Sequence, residues 1–220
     1  MCRKRVHYGD TENTETAVRK QTRTLPVIRS IEPTMIEIEK KYRLTKPQRE
    51  IVLRQLPQIG AVARGEEFEE NILYAGECLD LNHSVLRLRR VGKTATLTYK
   101  ERFPTASAIK HQREDETGVE DPDAMDAILN ALGFAPFLVY EKRRQTWQLS
   151  EAEIVVDDLP FGLFMEIEGS ELAIAAAEAK LDIKGLKTEH ETYPQLALKH
   201  GKRYGNVIEA RFDVNPQAKN

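Results

Sequence analysis

The chain has 220 residues, 40% hydrophobic and 31% charged, with 33 basic and 35 acidic side chains and a formal net charge of −2. That balance excludes a dedicated nucleic-acid binder, which carries a basic excess, and it leaves ample apolar content for a core. Cys2 and Cys78 form neither a disulfide framework nor a CxxC metal site, and no apolar run approaches the ~20 residues that span a bilayer. With no hydrophobic stretch near the N-terminus to act as a secretory signal, a cytoplasmic protein that neither enters nor binds membranes is expected.

Residues 1–34 are rich in Thr, Arg, Lys and Glu and show no sustained period, a composition that cannot bury enough surface to fold alone. They are expected to form a disordered N-terminal tail, with the natural product starting at Met35. Asp10, Glu12 and Glu15 argue against an acid-poor transit peptide. The first strand pattern covers 36–44. Thr45-Lys46-Pro47 then supplies an N-cap and an early helical proline for a helix to about Leu56, closed by Pro57 and Gly60. Strand patterns follow at 66–75, 84–91, 94–101 and 110–118, with Gly92-Lys93 as a tight hairpin turn. Asp121-Pro122 starts a second helix that ends at Leu132-Gly133. Three more strands read at 136–148, 152–157 and 163–168. An alanine-rich helix starts at Ser170, and a last short one follows Thr192-Tyr193-Pro194. The expectation is α+β and mainly β: about eight antiparallel strands over residues 35–205 with peripheral helices, then a C-terminal tail from 206.

Charged residues recur two apart inside these strands: Glu37-x-Glu39-x-Lys41, Arg87-x-Arg89, Glu114-x-Glu116, Lys142-x-Arg144 and Glu166-x-Glu168. In a strand, i and i+2 share a face, so each pair lies opposite apolar neighbours such as Ile38, Leu88 and Ile167. Such a sheet either turns its charges to solvent or closes around a charged lumen whose apolar outside is covered by helices. Three separate Glu-x-Glu pairs favour the lumen, because like charges on one face repel unless something positive lies between them. Carboxylates of this kind suit hard divalent cations such as Mg²⁺ or Mn²⁺. Lys41, Arg87, Arg89, Lys100, Lys142 and Arg144 share the parity of the acids. They could serve as exposed edge-strand charges, but together they can also neutralise the roughly four negative charges of a triphosphate. Arg90 and Arg143 fall on the opposite parity and are placed outside the site.

Other signals are weaker. His7, His83, His111, His190 and His200 show no HxH or HxxxH spacing, and Gly92-Lys93-Thr94 lacks the strand–helix context of a phosphate loop. There is no Gly-x-Ser-x-Gly nucleophile motif, and neither cysteine lies in a nucleophile context. Trp147, Tyr140 and Phe137 read as core packing.

The ordered series Glu37-x-Glu39-x-Lys41, Arg87-x-Arg89, Lys100, Glu114-x-Glu116, Lys142-x-Arg144, Asp157 and Glu166-x-Glu168 resembles the CYTH superfamily, the triphosphate tunnel metalloenzymes, over about residues 35–205. The resemblance implies an eight-stranded antiparallel β-barrel tunnel. Lys41, Arg87, Arg89, Lys100, Lys142 and Arg144 would grip a triphosphate, and Glu37, Glu39, Asp157, Glu166 and Glu168 would hold one or two metals. Tyr140-Glu141-Lys142-Arg143-Arg144 and Gly162-Leu163-Phe164-Met165-Glu166 look like the class IV adenylate cyclase branch, which also contains triphosphatases. Relatives carry an aromatic–Asp step where this chain has Tyr74-Ala75-Gly76, so the aromatic matches and the acid does not.

What the resemblance implies is a Mg²⁺- or Mn²⁺-dependent triphosphatase acting on inorganic, nucleoside or thiamine triphosphate. Glu114, Glu116 and Lys142 are its candidate catalytic residues. The alternative is a class IV adenylate cyclase that makes cyclic AMP and pyrophosphate, and a further one is a non-catalytic polyanion-binding module. The expected partner is a small-molecule triphosphate rather than nucleic acid or membrane, and a homodimer is compatible with the pattern.

Overall fold

The alternation that begins at Ile36 folds as β1 (Ile36–Leu44) and leads directly into α1 (Lys46–Gln58). The computed structural model describes residues 36–102, 110–183 and 185–213, and only the backbone of 36, 37, 102 and 110–112. The expected tail over 1–34 lies outside these residues. Next come β2 (Val62–Ala75), β3 (Ser84–Val91), β4 (Thr94–Arg102) and β5 (Lys110–Val119), then α2 (Pro122–Ala131). They are followed by β6 (Ala135–Leu149), β7 (Ala152–Leu159), β8 (Gly162–Glu168) and α3 (Glu171–Leu181). The chain continues with β9 (Lys187–Thr188), α4 (Tyr193–His200), β10 (Lys202–Tyr204) and β11 (Val207–Ala210).

All four expected helix starts hold, each for a local reason. Thr45 and Thr192 form capping boxes with Gln48 and Gln195, while Asp121 and Ser170 accept hydrogen bonds from first-turn N–H groups. Each such cap contributes about 1 kcal/mol by satisfying backbone donors that have no partner inside the helix. The Gly92-Lys93 hairpin also holds: Val91 pairs with Thr94, and Gly92 takes φ +57°, a value that suits glycine at the first central position of a two-residue turn.

β1 pairs with β5 and β8, β8 with β7, β7 with β6, β6 with β2, β2 with β3, β3 with β4 and β4 with β5, all antiparallel. The ladder therefore returns to its first strand, and the sheet curls into the expected eight-stranded tunnel. The length of β6 makes this possible. Its residues 143–148 pair with β2 on one edge and β7 on the other, while 138–140 take β11 in parallel on the stretch of that second edge that β7 does not reach.

β11 corrects one expectation: residues 207–210, placed in a C-terminal tail by their short, aperiodic sequence, are part of the sheet. β2 also begins earlier than expected, at Val62, because a register shift between Ala63 and Gly65 keeps it paired with β6.

Period-two alternation sorts the side chains. Tyr42, Leu44, Ile154, Val156, Met165 and Ile167 face outward under α1 and α3, where they pack with Leu56, Ile174 and Leu181. Leu88, Tyr74 and Ala95 are covered by Leu129 of α2. α4 does something different: its Tyr193 and Leu196 pack with Leu73, Leu138, Tyr140 and Phe164. Tyr140 and Phe164 are on the inward parity, so α4 closes part of the lumen with apolar surface. Burying Leu196 completely contributes about 2–3 kcal/mol towards holding that plug in place.

Candidate functional site

The inward faces of the eight strands bring together a set of charges that would be untenable one at a time. Glu39, Lys41, Glu69, Arg87, Lys142, Asp157 and Glu166 are all buried, and an unpaired ion at any of these depths would cost several kcal/mol. They are tolerable because they pair across strands. Lys41 lies 3.1 Å from Glu166. Arg144 donates to both oxygens of Asp157, at 2.8 and 2.7 Å, and to Glu166 at 2.8 Å. Lys142 lies 3.3 Å from Glu69 and 3.6 Å from Asp157. Arg89 lies 3.2 Å from Glu69. Further round the tunnel, Glu114 meets Lys100 at 2.5 Å and Arg87 at 3.9 Å.

These residues enclose a cavity of about 220 Å³. Its wall includes Glu39 and Lys41 of β1, Arg87 and Arg89 of β3, Lys100 of β4 and Glu114 of β5, together with Lys142 and Arg144 of β6, Glu153 of β7 and Glu166 and Glu168 of β8. All six cations expected from the strand parity line it. Arg90 and Arg143, assigned outside, are outside: Arg90 reaches Asp123 at 2.8 Å and Arg143 lies over the Phe212 ring at 4.2 Å.

The acids separate into groups. Glu39, Glu166 and Glu168 present oxygens within 4.8 Å of one another. The Glu37 side chain lies outside the described residues. Asp157 is fully buried behind the wall, held by Arg144 and by the Tyr193 hydroxyl, which donates at 2.8 Å. Glu114 is on the wall, whereas Glu116 is exposed and accepts from the Thr98 hydroxyl at 3.0 Å.

Several members of the set escape sequence reading. Glu69 and Asn71 are two apart on the inward face of β2, with Asn71 Nδ2 donating to Glu69 and Arg89 donating to Asn71, both at 3.3 Å. Only the register, which pairs Glu69 with Lys142 and Asn71 with Arg89, marks them. Glu153 also lines the cavity, and Tyr140, assigned to the core, serves both core and wall. Tyr193, legible only as the start of a helix, places its ring 3.8 Å from the Lys41 ammonium and 5.5 Å from that of Lys142.

Electrostatics tune these groups unequally. Burial pushes the Glu69 carboxyl up, but Lys142, Arg89, Arg144 and Arg87 outweigh it and hold the group down at about 2. Lys142 is lowered to about 8 by burial and by the neighbouring Arg144, against the opposite pull of Asp157 and Glu69. For Lys41, Glu166 and Glu39 overcome the cost of burial and raise its pKa. Burial and the nearby Asp157 hold the Tyr193 hydroxyl protonated.

Residues 35–197 match the CYTH domain family. The PH1012 protein of Pyrococcus horikoshii OT3 is similar in structure, with a TM-score of 0.64 and 25% identity, over 73% of this chain and 98% of that one. A Vibrio parahaemolyticus protein provisionally assigned as an adenylate cyclase gives a TM-score of 0.60 and 22% identity over 73% and 97%. A Hippeastrum protein so assigned, in which triphosphatase activity dominates, gives 0.60 and 18% over 78% and 98%. No curated protein matches.

Proposed function

The chain belongs to the CYTH domain family, and we propose that it is a divalent-metal-dependent triphosphatase acting on the triphosphate group of a small molecule. One observation carries the reading: the charge balance of the tunnel. Among the described residues, six cations line the cavity, opposed by five carboxylates on the same wall and by Glu69 and Asp157 buried against them. Six against seven leaves the site one charge negative. A triphosphate of about four negative charges is repelled by such a site unless divalent cations enter with it.

The residues present fit such an ion. Glu39, Glu166 and Glu168 supply hard oxygen donors within 4.8 Å of each other, and Glu37 is proposed to join them. When bound, Mg²⁺ or Mn²⁺ supplies positive charge to the phosphate oxygens and orients the terminal phosphoryl group.

The chain's own side chains do the rest. Lys41, Arg87, Arg89, Lys100, Lys142 and Arg144 hold the phosphoryl oxygens and stabilise the charge that develops on them. Asp157 keeps Arg144 aimed into the cavity through two hydrogen bonds. Glu114, on the wall beside Lys100 and Arg87, orients a water for in-line attack on the terminal phosphorus, with Glu116, two residues on and bonded to Thr98, as the second candidate for that role. The new bond forms from the water oxygen to the terminal phosphorus as a water proton passes to Glu114. The bond from that phosphorus to the bridging oxygen breaks, and the diphosphate end departs while the terminal phosphoryl group becomes orthophosphate.

Hydrolysis is favoured over cyclisation by the character of the wall. Cyclisation brings a ribose hydroxyl to the α-phosphorus inside the cavity, yet eleven of the sixteen residues lining it are charged. Such a surface holds phosphate oxygens and the attacking water, and leaves a ribose, where the substrate carries one, at the uncharged edge formed by Val85, Thr192 and Pro194. The test is incubation with ATP, inorganic triphosphate and thiamine triphosphate, with Mg²⁺ or Mn²⁺, reading phosphate, pyrophosphate and cyclic AMP separately. Phosphate release is expected. Cyclic AMP with equimolar pyrophosphate supports the cyclase instead, and binding without any product supports the polyanion-binding module.

A further inference from the structure

A second cavity, of about 300 Å³, adjoins the charged one and shares Val85, Thr192 and Pro194 with it. Its character is the opposite. Leu73, Leu81, Leu86, Phe137 and Leu198 form much of its lining, and none of its lining residues is charged. Leu81 and Leu198 are 43% and 39% exposed, so two large apolar side chains on this cleft remain partly open to water. Asn82, Ser84 and Gln195 add amide and hydroxyl groups. The cleft lies between the segment joining β2 to β3 and the first turns of α4, the helix whose Tyr193 also reaches the phosphate-binding lysines.

We propose that this cleft holds the organic group of the substrate, and that the group is a neutral heterocycle, which makes the substrate a nucleoside triphosphate rather than inorganic triphosphate. The inference rests on the triphosphatase reading and adds to it the class of substrate. A triphosphate gripped by the charged wall has its organic end leaving towards one side of the cavity, and the shared residues make the apolar cleft its immediate neighbour. An apolar site with a few amides suits a flat ring with hydrogen-bonding edges, which gains from burial against leucine and phenylalanine. The lack of carboxylates on its lining disfavours a cationic ring such as that of thiamine, whose charge would be desolvated without a partner.

The test compares ATP, inorganic triphosphate and thiamine triphosphate on the full chain and on Leu81→Ser and Leu198→Gln, both partly exposed positions outside the charged machinery. Neither substitution adds a charge, so the attraction for phosphate is unchanged. The unaltered protein is expected to have its lowest KM for ATP, and each variant to raise that KM by about 5- to 10-fold, the cost of losing one partly buried apolar contact. The KM for inorganic triphosphate is expected to stay put. The proposal is overturned if inorganic or thiamine triphosphate is the better substrate, or if the variants move ATP and inorganic triphosphate equally. If no triphosphate is hydrolysed, the triphosphatase reading fails by itself. Calorimetric Kd values for ATP and inorganic triphosphate with Mg²⁺, on the same three proteins, then decide the cleft by the same comparison.

Discussion

Replacing Glu69 by glutamine should weaken the empty protein and strengthen its response to triphosphate. The carboxylate lies 3.3 Å from Lys142 and 3.2 Å from Arg89, with Arg144 at 3.8 Å, and the residue is only 1% exposed. Its pKa falls from an ordinary 4.5 to about 2, and at about 1.4 kcal/mol per unit its ionisation stabilises the fold by about 3 kcal/mol. Because the folded value lies below the unfolded one, this stabilisation is complete above about pH 5 and is lost as pH falls towards 2. For a domain of this size, Glu69→Gln should lower Tm by about 6–12 °C at pH 7, with the gap narrowing to about half or less by pH 3. The same change frees Lys142, Arg89 and Arg144 from a competing anion, so added triphosphate should raise the Tm of the variant by more than that of the unaltered protein. Thermal denaturation from pH 3 to 7, with and without triphosphate, checks both halves. An unchanged Tm at pH 7, or a gap of equal size at pH 3, refutes the reasoning.

Arg144→Ala should cost more than phosphate affinity. It strands the fully buried Asp157 with only Tyr193 and Lys142, so Tm should drop by the equivalent of about 3 kcal/mol while the KM for triphosphate rises at least tenfold. Denaturation and steady-state kinetics on one preparation measure both effects. Lys142, with its pKa near 8, is cationic below that pH and neutral above it, so the KM should rise as pH passes 8. Lys142→Arg should flatten that rise in a pH–KM profile. A chain starting at Met35 should keep the activity and Tm of the full chain, as thermal denaturation and phosphate release can show.

The strand-borne charges were legible because strand parity is a strict local rule: Arg87 and Arg89, or Glu166 and Glu168, must share a face wherever the strand runs. Helix starts were legible for the same reason, since Thr45, Asp121, Ser170 and Thr192 each act on residues within one turn. Pairing across the sheet was not. Glu69 looks like any acid in Glu66-Glu67-Phe68-Glu69-Glu70 until β2 is set in register against β6, which places it opposite Lys142. β11 was hidden because four residues carry no period, and only the free edge of β6 makes them a strand. Asp157 was assigned to metal from its place in an ordered series, whereas the structure surrounds it with Arg144, Lys142 and Tyr193, none of which the spacing of a single strand reveals.

The most direct test of a metal-dependent site is titration of Mg²⁺ or Mn²⁺ against phosphate release for the unaltered protein and for Glu39→Gln. Glu39 is buried and contributes one of the three oxygens lying within 4.8 Å, and glutamine keeps its size while removing its charge. The half-saturating metal concentration should rise at least tenfold, the loss of about 1.4 kcal/mol or more from one charged ligand, with Tm unchanged or raised as crowding with Glu166 and Glu168 is relieved. Normal turnover of Glu39→Gln at an unchanged metal optimum would contradict the account, because the acidic cluster would then be structural.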